Sequence, residues 1–523
     1  MTISCHFSPP SYLTRSKTMG LSTAQGLLLL ILASAAAADD AYTHPKLTWT
    51  APCAHGLDSK FPAGVECGSL TAPIDYAHPN EGSFNLAIFR LKAKTNGTKS
   101  LGSLFYNTGG PGGAASSWFE AMKKGGQIWS DKMLASYDLV GVDPRGMGYS
   151  NPIQCDPDIF NAKPQLLDAG SDAGFARTLA FNKAFGNSCL KKTGKLVQFM
   201  DAVSTAKDFE LVRQALGSGA DKFHYYGMSY GTVLGQTYAE LYPNRVGRMV
   251  LDGAVDRRST GIDTVMTEAI TYQATVEKFF EWCETDESCA FHGQDVRGIY
   301  ANLTATGNVI PANCTTAPCK SEVTGEDIIA NMQPVLVTQD PLPVLGLPGR
   351  VYLSELLAQA VQGNATMLST RLARANSSYD TARYAYYAVA CQDYGTPLHT
   401  AGDVRRVLNV GASLTLNKGV CEFLDIAITC IGWPTPLTNP PGRALDAARI
   451  AQVPPVLIVN AFFDPETSAA WAAGLREQIP NAVSLWRNGT GHTSYFLLGD
   501  TSKAIDTFLI DGELPADETV LRS

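Results

Sequence analysis

Charged residues are scarce in this 523-residue chain, at 17% against a usual share of about 25%. No basic block interrupts it, and 41 Lys and Arg against 49 Asp and Glu leave a formal charge of −8. That balance argues against a nucleic-acid surface and against adhesion to an acidic membrane. The HExxH zinc signature is missing, and so are both glycine-rich phosphate loops, Gly-x₄-Gly-Lys-Ser/Thr and Gly-x-Gly-x-x-Gly opening a helix after a strand. No metal and no cofactor is expected. Beyond residue 40 no apolar run approaches the roughly 20 residues needed to span a bilayer, so stable membrane association is not expected. Internal repeats are absent too. The hydrophobic share of 45% excludes a mostly disordered chain, and 47 Gly with 29 Pro indicate many turns between short elements.

Arg15 and Lys17 precede an apolar run from Gly26 to Ala38 that ends in small residues before Asp39-Asp40. A basic start, a short apolar run and a small-x-small site at Ala36 and Ala38 make residues 1–38 a secretory signal peptide, with a mature start near Asp39. Of 12 cysteines Cys5 leaves with that segment, and the odd remainder predicts disulfides plus one unpaired thiol. Cys283 with Cys289 and Cys314 with Cys319 are close enough to staple short loops. Asn96, Asn302, Asn313, Asn364, Asn376 and Asn488 each open an Asn-x-Ser/Thr sequon, as in a secreted, extracellular glycoprotein.

After an extended lead-in at 39–80, short buried-strand patterns at 86–91, 103–107, 137–141, 223–226 and 248–252 alternate with helical stretches. One of these, Thr205–Leu216, stops at Gly217. Strand patterns resume at 455–460 and 482–486. This alternation predicts an α/β fold, a mostly parallel sheet covered by helices. Between 255 and 445 helical patterns, cysteines and proline-rich joints dominate. The expected organisation is therefore a core from 39–254 and 446–523, interrupted by a mainly helical cap insertion at 255–445.

The most informative stretch is Phe223 to Pro243, an aromatic strand, then Gly227-Met228-Ser229-Tyr230-Gly231, then an apolar helix. This is the setting of a nucleophile elbow in an α/β-hydrolase fold. A strand-to-helix turn tight enough to expose Oγ strains Ser229 and leaves no room for Cβ at 227 and 231. The helix start aims amides and a positive dipole at a developing oxyanion. A serine nucleophile needs a base and an orienting acid, in the order Ser, acid, His. Only His292, His399 and His492 follow Ser229. His492, in a Gly-rich loop past the last strand, is the expected base, and the other two fall in the insertion as surface or packing residues. Asp464, in the loop after the 455–460 strand, is the expected acid. Glu466 is its nearest rival and reads as an ordinary partner for a helix start. Asn107-Thr108-Gly109-Gly110-Pro111-Gly112-Gly113 follows an earlier strand and supplies the oxyanion loop, with backbone N–H groups of Gly110 and Tyr230 as donors.

These motifs, with Asp143-Pro144-Arg145-Gly146-Met147-Gly148-Tyr149-Ser150, resemble the α/β-hydrolase family of prolyl and tripeptidyl aminopeptidases. More narrowly, they are similar to secreted members with a tripeptidyl-aminopeptidase-type C-terminal domain, over about residues 65–500. Many relatives carry His where this chain has Asn107. The resemblance implies a helical cap, a Ser–His–Asp triad, no metal, and release of short N-terminal peptides. It also implies that Asp143 and Arg145 brace loops near the site. An exopeptidase must hold a free α-ammonium, and Asp393 and Glu422 are the carboxylates put forward for that role. Two other readings stand beside this one. The first is a carboxylic-ester hydrolase acting on small or secondary-metabolite esters, so the substrate partner is a peptide or a small ester. The second is a non-catalytic binding protein on the same scaffold, whose signature would be a missing triad member.

Overall fold

The computed structural model describes residues 47–522, apart from 51–52, 54–58, 96–98, 218–219, 315–319, 342–348, 370–380 and 439–442. The leader at 1–38 and the sequons at Asn96 and Asn376 lie outside the described residues. So does Cys319, while Cys314 is disulfide-bonded.

Among the described residues twelve strands run in chain order: β1 (Thr48–Thr50), β2 (Val65–Pro73), β3 (Ser83–Leu91), β4 (Ser103–Asn107), β5 (Asp138–Val142), β6 (Phe223–Met228), β7 (Val246–Asp252), β8 (Val309–Pro311), β9 (Glu322–Thr324), β10 (Val456–Phe463), β11 (Val483–Thr490) and β12 (Thr519–Leu521). Ten form one sheet in the order β1-β2-β3-β5-β4-β6-β7-β10-β11-β12. From β5 to β12 neighbouring strands are parallel, and β1 to β3 add an antiparallel edge. This is the α/β-hydrolase architecture. The expected extended lead-in contains β1 and β2, and β2 alternates buried with exposed positions at its centre, as an edge strand does. The central β4 is buried at every residue, which is why it reads as a continuous apolar run.

β7 and β10 are neighbours, Val456 beside Met249 and Val459 beside Asp252. The chain between them leaves and rejoins the sheet at one place, and most of its described residues are helical. It also contains the small antiparallel pair β8–β9, a detail absent from the sequence reading. Cys391–Cys430 clamps the insertion helix Thr381–Asp393 to the end of helix Glu422–Thr429. Cys53–Cys67, Cys155–Cys189 and Cys283–Cys289 are also bonded, and among the described residues Cys421 is free and buried.

One side of the sheet holds a ring cluster in which Tyr106 stacks on Trp118 at 4.9 Å, with Trp129, Tyr226 and Tyr495 around them. On the antiparallel side Arg145 and Asp208 form a fully buried pair, closed by bonds of 2.7 and 2.8 Å. The guanidinium also donates to the carbonyls of Pro73, Ile74 and Phe199. Asp143 is equally buried and accepts from Ser116 N–H and Oγ and from Tyr149 N–H. Both residues join segments far apart in sequence, as a brace does. Replacing Arg145 with Met would strand the Asp208 carboxylate in the interior, so a loss of about 3–5 kcal/mol in unfolding free energy is expected by urea titration. A loss below about 1 kcal/mol would contradict the brace role.

Candidate active site

The candidate residues stand at the carboxyl ends of adjacent parallel strands. Asn107 at the end of β4 pairs with Gly227 in β6, and Met228 pairs with Asp252 at the end of β7. Asp464 follows β10 and His492 follows β11. In open α/β sheets this edge is where ligands bind.

Ser229 sits between β6 and the helix Tyr230–Leu241 at φ 55°, ψ −127°, a conformation that side chains rarely adopt. A Cβ on Gly227 would lie 2.5 Å from the Gly231 carbonyl oxygen, and one on Gly231 would lie 2.9 Å from that of Asn107. The elbow therefore excludes any larger residue at either position. The glycine loop comes equally close: a Cβ on Gly109 would sit 2.8 Å from that of Ser229. Asn107 is buried, and its Oδ1 accepts the Gly109 N–H at 3.0 Å, which sets the first turn of that loop. Gly110 and Tyr230 donate in none of the backbone hydrogen bonds found among the described residues outside regular elements. As the first residue of its helix, Tyr230 has an amide without an intrahelical acceptor.

His492 Nδ1 lies 2.9 Å from both Oδ1 and Oδ2 of Asp464. Asp464 is fully buried, and its oxygens also accept N–H bonds from Glu466, Thr467 and Thr493 and an O–H bond from Thr467. Burial works to raise this carboxyl, but the imidazole beside it and these donors hold it below the usual range. The other ring nitrogen, Nε2, is buried without a hydrogen-bond partner. Two residues that the sequence did not single out fix the His492 loop. Arg487, in β11, donates to the carbonyls of Thr490, Gly491 and Thr493. Asp252, at the end of β7, accepts the N–H groups of Ser494 and Tyr495 and the Tyr226 hydroxyl. Neither carries a local motif; only the position of Asp252 at the end of β7 could have drawn notice.

A cavity of 630 Å³ opens beside the glycine loop, lined by Gly110, Phe160, Tyr386, Glu422, Glu466 and others. Most of its remaining wall comes from the insertion, but Phe160 and Leu166 come from the long connection between β5 and β6. The length of that connection was its only sequence signal. The two carboxylates put forward for amine binding part company here. Glu422 is on the cavity wall, where Tyr386 donates to it at 2.6 Å, and burial with the neighbouring Glu466 pushes it up to about 8. Asp393 is not among the lining residues. It accepts the Ala202 N–H at the start of helix Ala202–Leu216 and the Tyr230 hydroxyl, so it is held within the fold. Glu466 takes its place on the wall, with Oε2 3.3 Å from His492 Nε2. Glu268 lies behind them, fully buried, accepting from Gln333 and from the Phe423 N–H.

His292 and His399 are both exposed, and neither lines this cavity. Among the described residues no group of three or more His, Cys, Asp or Glu is placed to hold a metal, and no helix is long and apolar enough to cross a membrane. Of the sequons, Asn302, Asn313 and Asn488 are exposed and Asn364 is half-buried.

The fold and the comparisons with known proteins define a serine-hydrolase-type enzyme. The α/β-hydrolase fold family matches residues 103–318, and the TAP-like protein family matches 422–521. Serine protease Hip1 of Mycobacterium tuberculosis is 30% identical, over 89% of this chain and 89% of that protein. Tripeptidyl aminopeptidase of Streptomyces lividans is 26% identical, over 88% and 84%. Carboxylesterase B of Mycobacterium tuberculosis is 27% identical, over 90% and 89%. The chain belongs to the α/β-hydrolase family, in the branch with a TAP-like C-terminal region.

Proposed function

We propose that this enzyme is an exported aminopeptidase that releases short N-terminal peptides, tripeptidyl or prolyl in type, through an acyl-enzyme on Ser229. His492 Nε2 takes the Ser229 proton as Oγ attacks the scissile carbonyl. Asp464 keeps the remaining ring proton on Nδ1 and stabilises the imidazolium. The Gly110 and Tyr230 N–H groups receive the oxyanion, each contributing about 3 kcal/mol to the transition state. His492 then protonates the leaving amine, and water resolves the acyl-enzyme. Export is proposed from the N-terminal apolar run, and the four described disulfides support an oxidising compartment.

The observation that carries the peptidase reading is Glu422 and Glu466 on the cavity wall, where the third acid, Asp425, is already paired with Lys163. Two carboxylates beside a hydrolytic centre suit a cation, and the one cation common to all N-terminal peptides is the α-ammonium. The ester reading draws on the relative named carboxylesterase B, but an ordinary ester has no charge to meet these groups. A charge-assisted hydrogen bond is worth about 1.5–3 kcal/mol. N-acetylation of a tripeptide anilide should therefore lower kcat/KM by about tenfold or more. Comparable values for the free and acetylated substrates would reject the exopeptidase and favour the esterase.

A further inference from the structure

His492 is surrounded by more negative charge than a waiting base needs. Asp464 and Glu466 face the ring from the loop after β10, and Glu422 from the insertion. Behind them burial, then Glu422, drives Glu268 well above the usual carboxyl range. Asp252 lies beneath the loop, bonded to its backbone. Of the nearby cations, Arg487 donates to three carbonyls, and Arg383 stands on the cavity wall with an interaction of its own. Nε2, the nitrogen that must accept the serine proton, is buried and lacks a hydrogen-bond partner, with the Glu466 carboxylate 3.3 Å away. Burial opposes a charged ring, yet Asp464 and Glu466 outweigh it and push His492 up to about 10. A ring protonated at neutral pH cannot take a proton from Ser229.

We propose that Glu466 holds His492 as an imidazolium while the cavity is empty, and that the substrate's α-ammonium, by pairing with Glu466 and Glu422, displaces that proton and turns His492 into a base. This rests on the aminopeptidase reading and deepens it. As the ammonium enters, the Nε2 proton leaves to solvent through the cavity, so one cation replaces another beside Glu466. The freed lone pair on Nε2 then accepts the Ser229 proton. Glu466 is a positioning residue in this scheme, acting on the chemistry through His492. The amine is accordingly a switch for turnover as well as a handle for binding, and peptides or esters without one meet an enzyme whose base is blocked.

The test compares kcat against pH for a tripeptide p-nitrophenyl ester and its N-acetylated form, because an ester lets both turn over. In the parent enzyme the acid limb for the free-amine ester should lie at least about one pH unit below that for the acetylated ester, since kcat reports the complex. Glu466→Gln should draw the acetylated-ester limb down by a similar amount, which raises its kcat on that limb about tenfold. Titration with a fluorophosphonate normalises each rate to folded sites. If Glu466→Gln does not fold, Glu422→Gln should move the same limb in the same direction by less. Coincident limbs in the parent enzyme, or an acetylated-ester limb that neither variant moves, would overturn the proposal. The peptidase reading is judged separately by KM: equal KM for the two esters rejects it wherever the limbs lie.

Discussion

Ser229→Ala is expected to lower kcat by roughly five to six orders of magnitude while leaving a folded protein. Loss of Oγ removes the proposed nucleophile outright, and no other hydroxyl shares the elbow position. The fold should survive because the strained φ of 55° is imposed by the elbow backbone, and Ala meets the same strain as Ser there. Residual turnover of about 10³–10⁴ over the uncatalysed rate should persist through the oxyanion amides and substrate binding. Steady-state kinetics with the tripeptide ester, beside a urea unfolding curve, measures both halves. Activity above about 1% of the parent at unchanged stability would remove Ser229 from the nucleophile role.

Asp464→Asn should cost about 10⁴ in kcat. The asparagine is nearly isosteric, and its carbonyl oxygen still accepts from the Glu466 and Thr467 N–H groups that now reach Oδ1. Its amide then faces His492 Nδ1, where an oxygen now lies at 2.9 Å. That donor competes with the carbonyl oxygen, which is also 2.9 Å from Nδ1, so the proton is no longer fixed on Nδ1 and the imidazolium loses its charged partner. A fall smaller than about tenfold would show that the acid is supplied elsewhere, and Glu466, 3.3 Å from Nε2, would be the first alternative.

Ser229 was legible because its signal is local. The elbow is one continuous string, strand, Gly-x-Ser-x-Gly and helix, and each part constrains the next through sterics alone. Asp464 and His492 were put forward by rule of order, each after a short buried strand near the chain end; β10 ends at Phe463 and β11 at Thr490. The amphipathic helix Ala202–Leu216 begins three residues earlier than its sequence pattern, because the Asp201 side chain accepts from Ser204 N–H and caps it. The short β8–β9 pair escaped notice, since three-residue strands carry too little periodicity to detect.

The amine-facing carboxylates behaved differently. Asp393 and Glu422 look alike as sequence, each an acid beside or near a cysteine in a helical stretch, yet the fold turns one toward Tyr230 and Ala202 and the other toward the cavity. Glu466 read as a plain helix-start acid, and Glu268 drew no notice at all. What brings Glu268, Glu422 and Glu466 together is the pairing of β7 with β10, which closes the whole insertion back onto the sheet edge, and the packing of helices Ile262–Thr285 and Glu422–Thr429 that follows from it. The sequence by itself determined the sheet, the elbow and the order of the candidate triad, because backbone sterics and buried-strand patterns act over a few residues. Only the tertiary structure decided which carboxylates surround His492, because burial and charge–charge distance depend on elements that meet in space from separate parts of the chain.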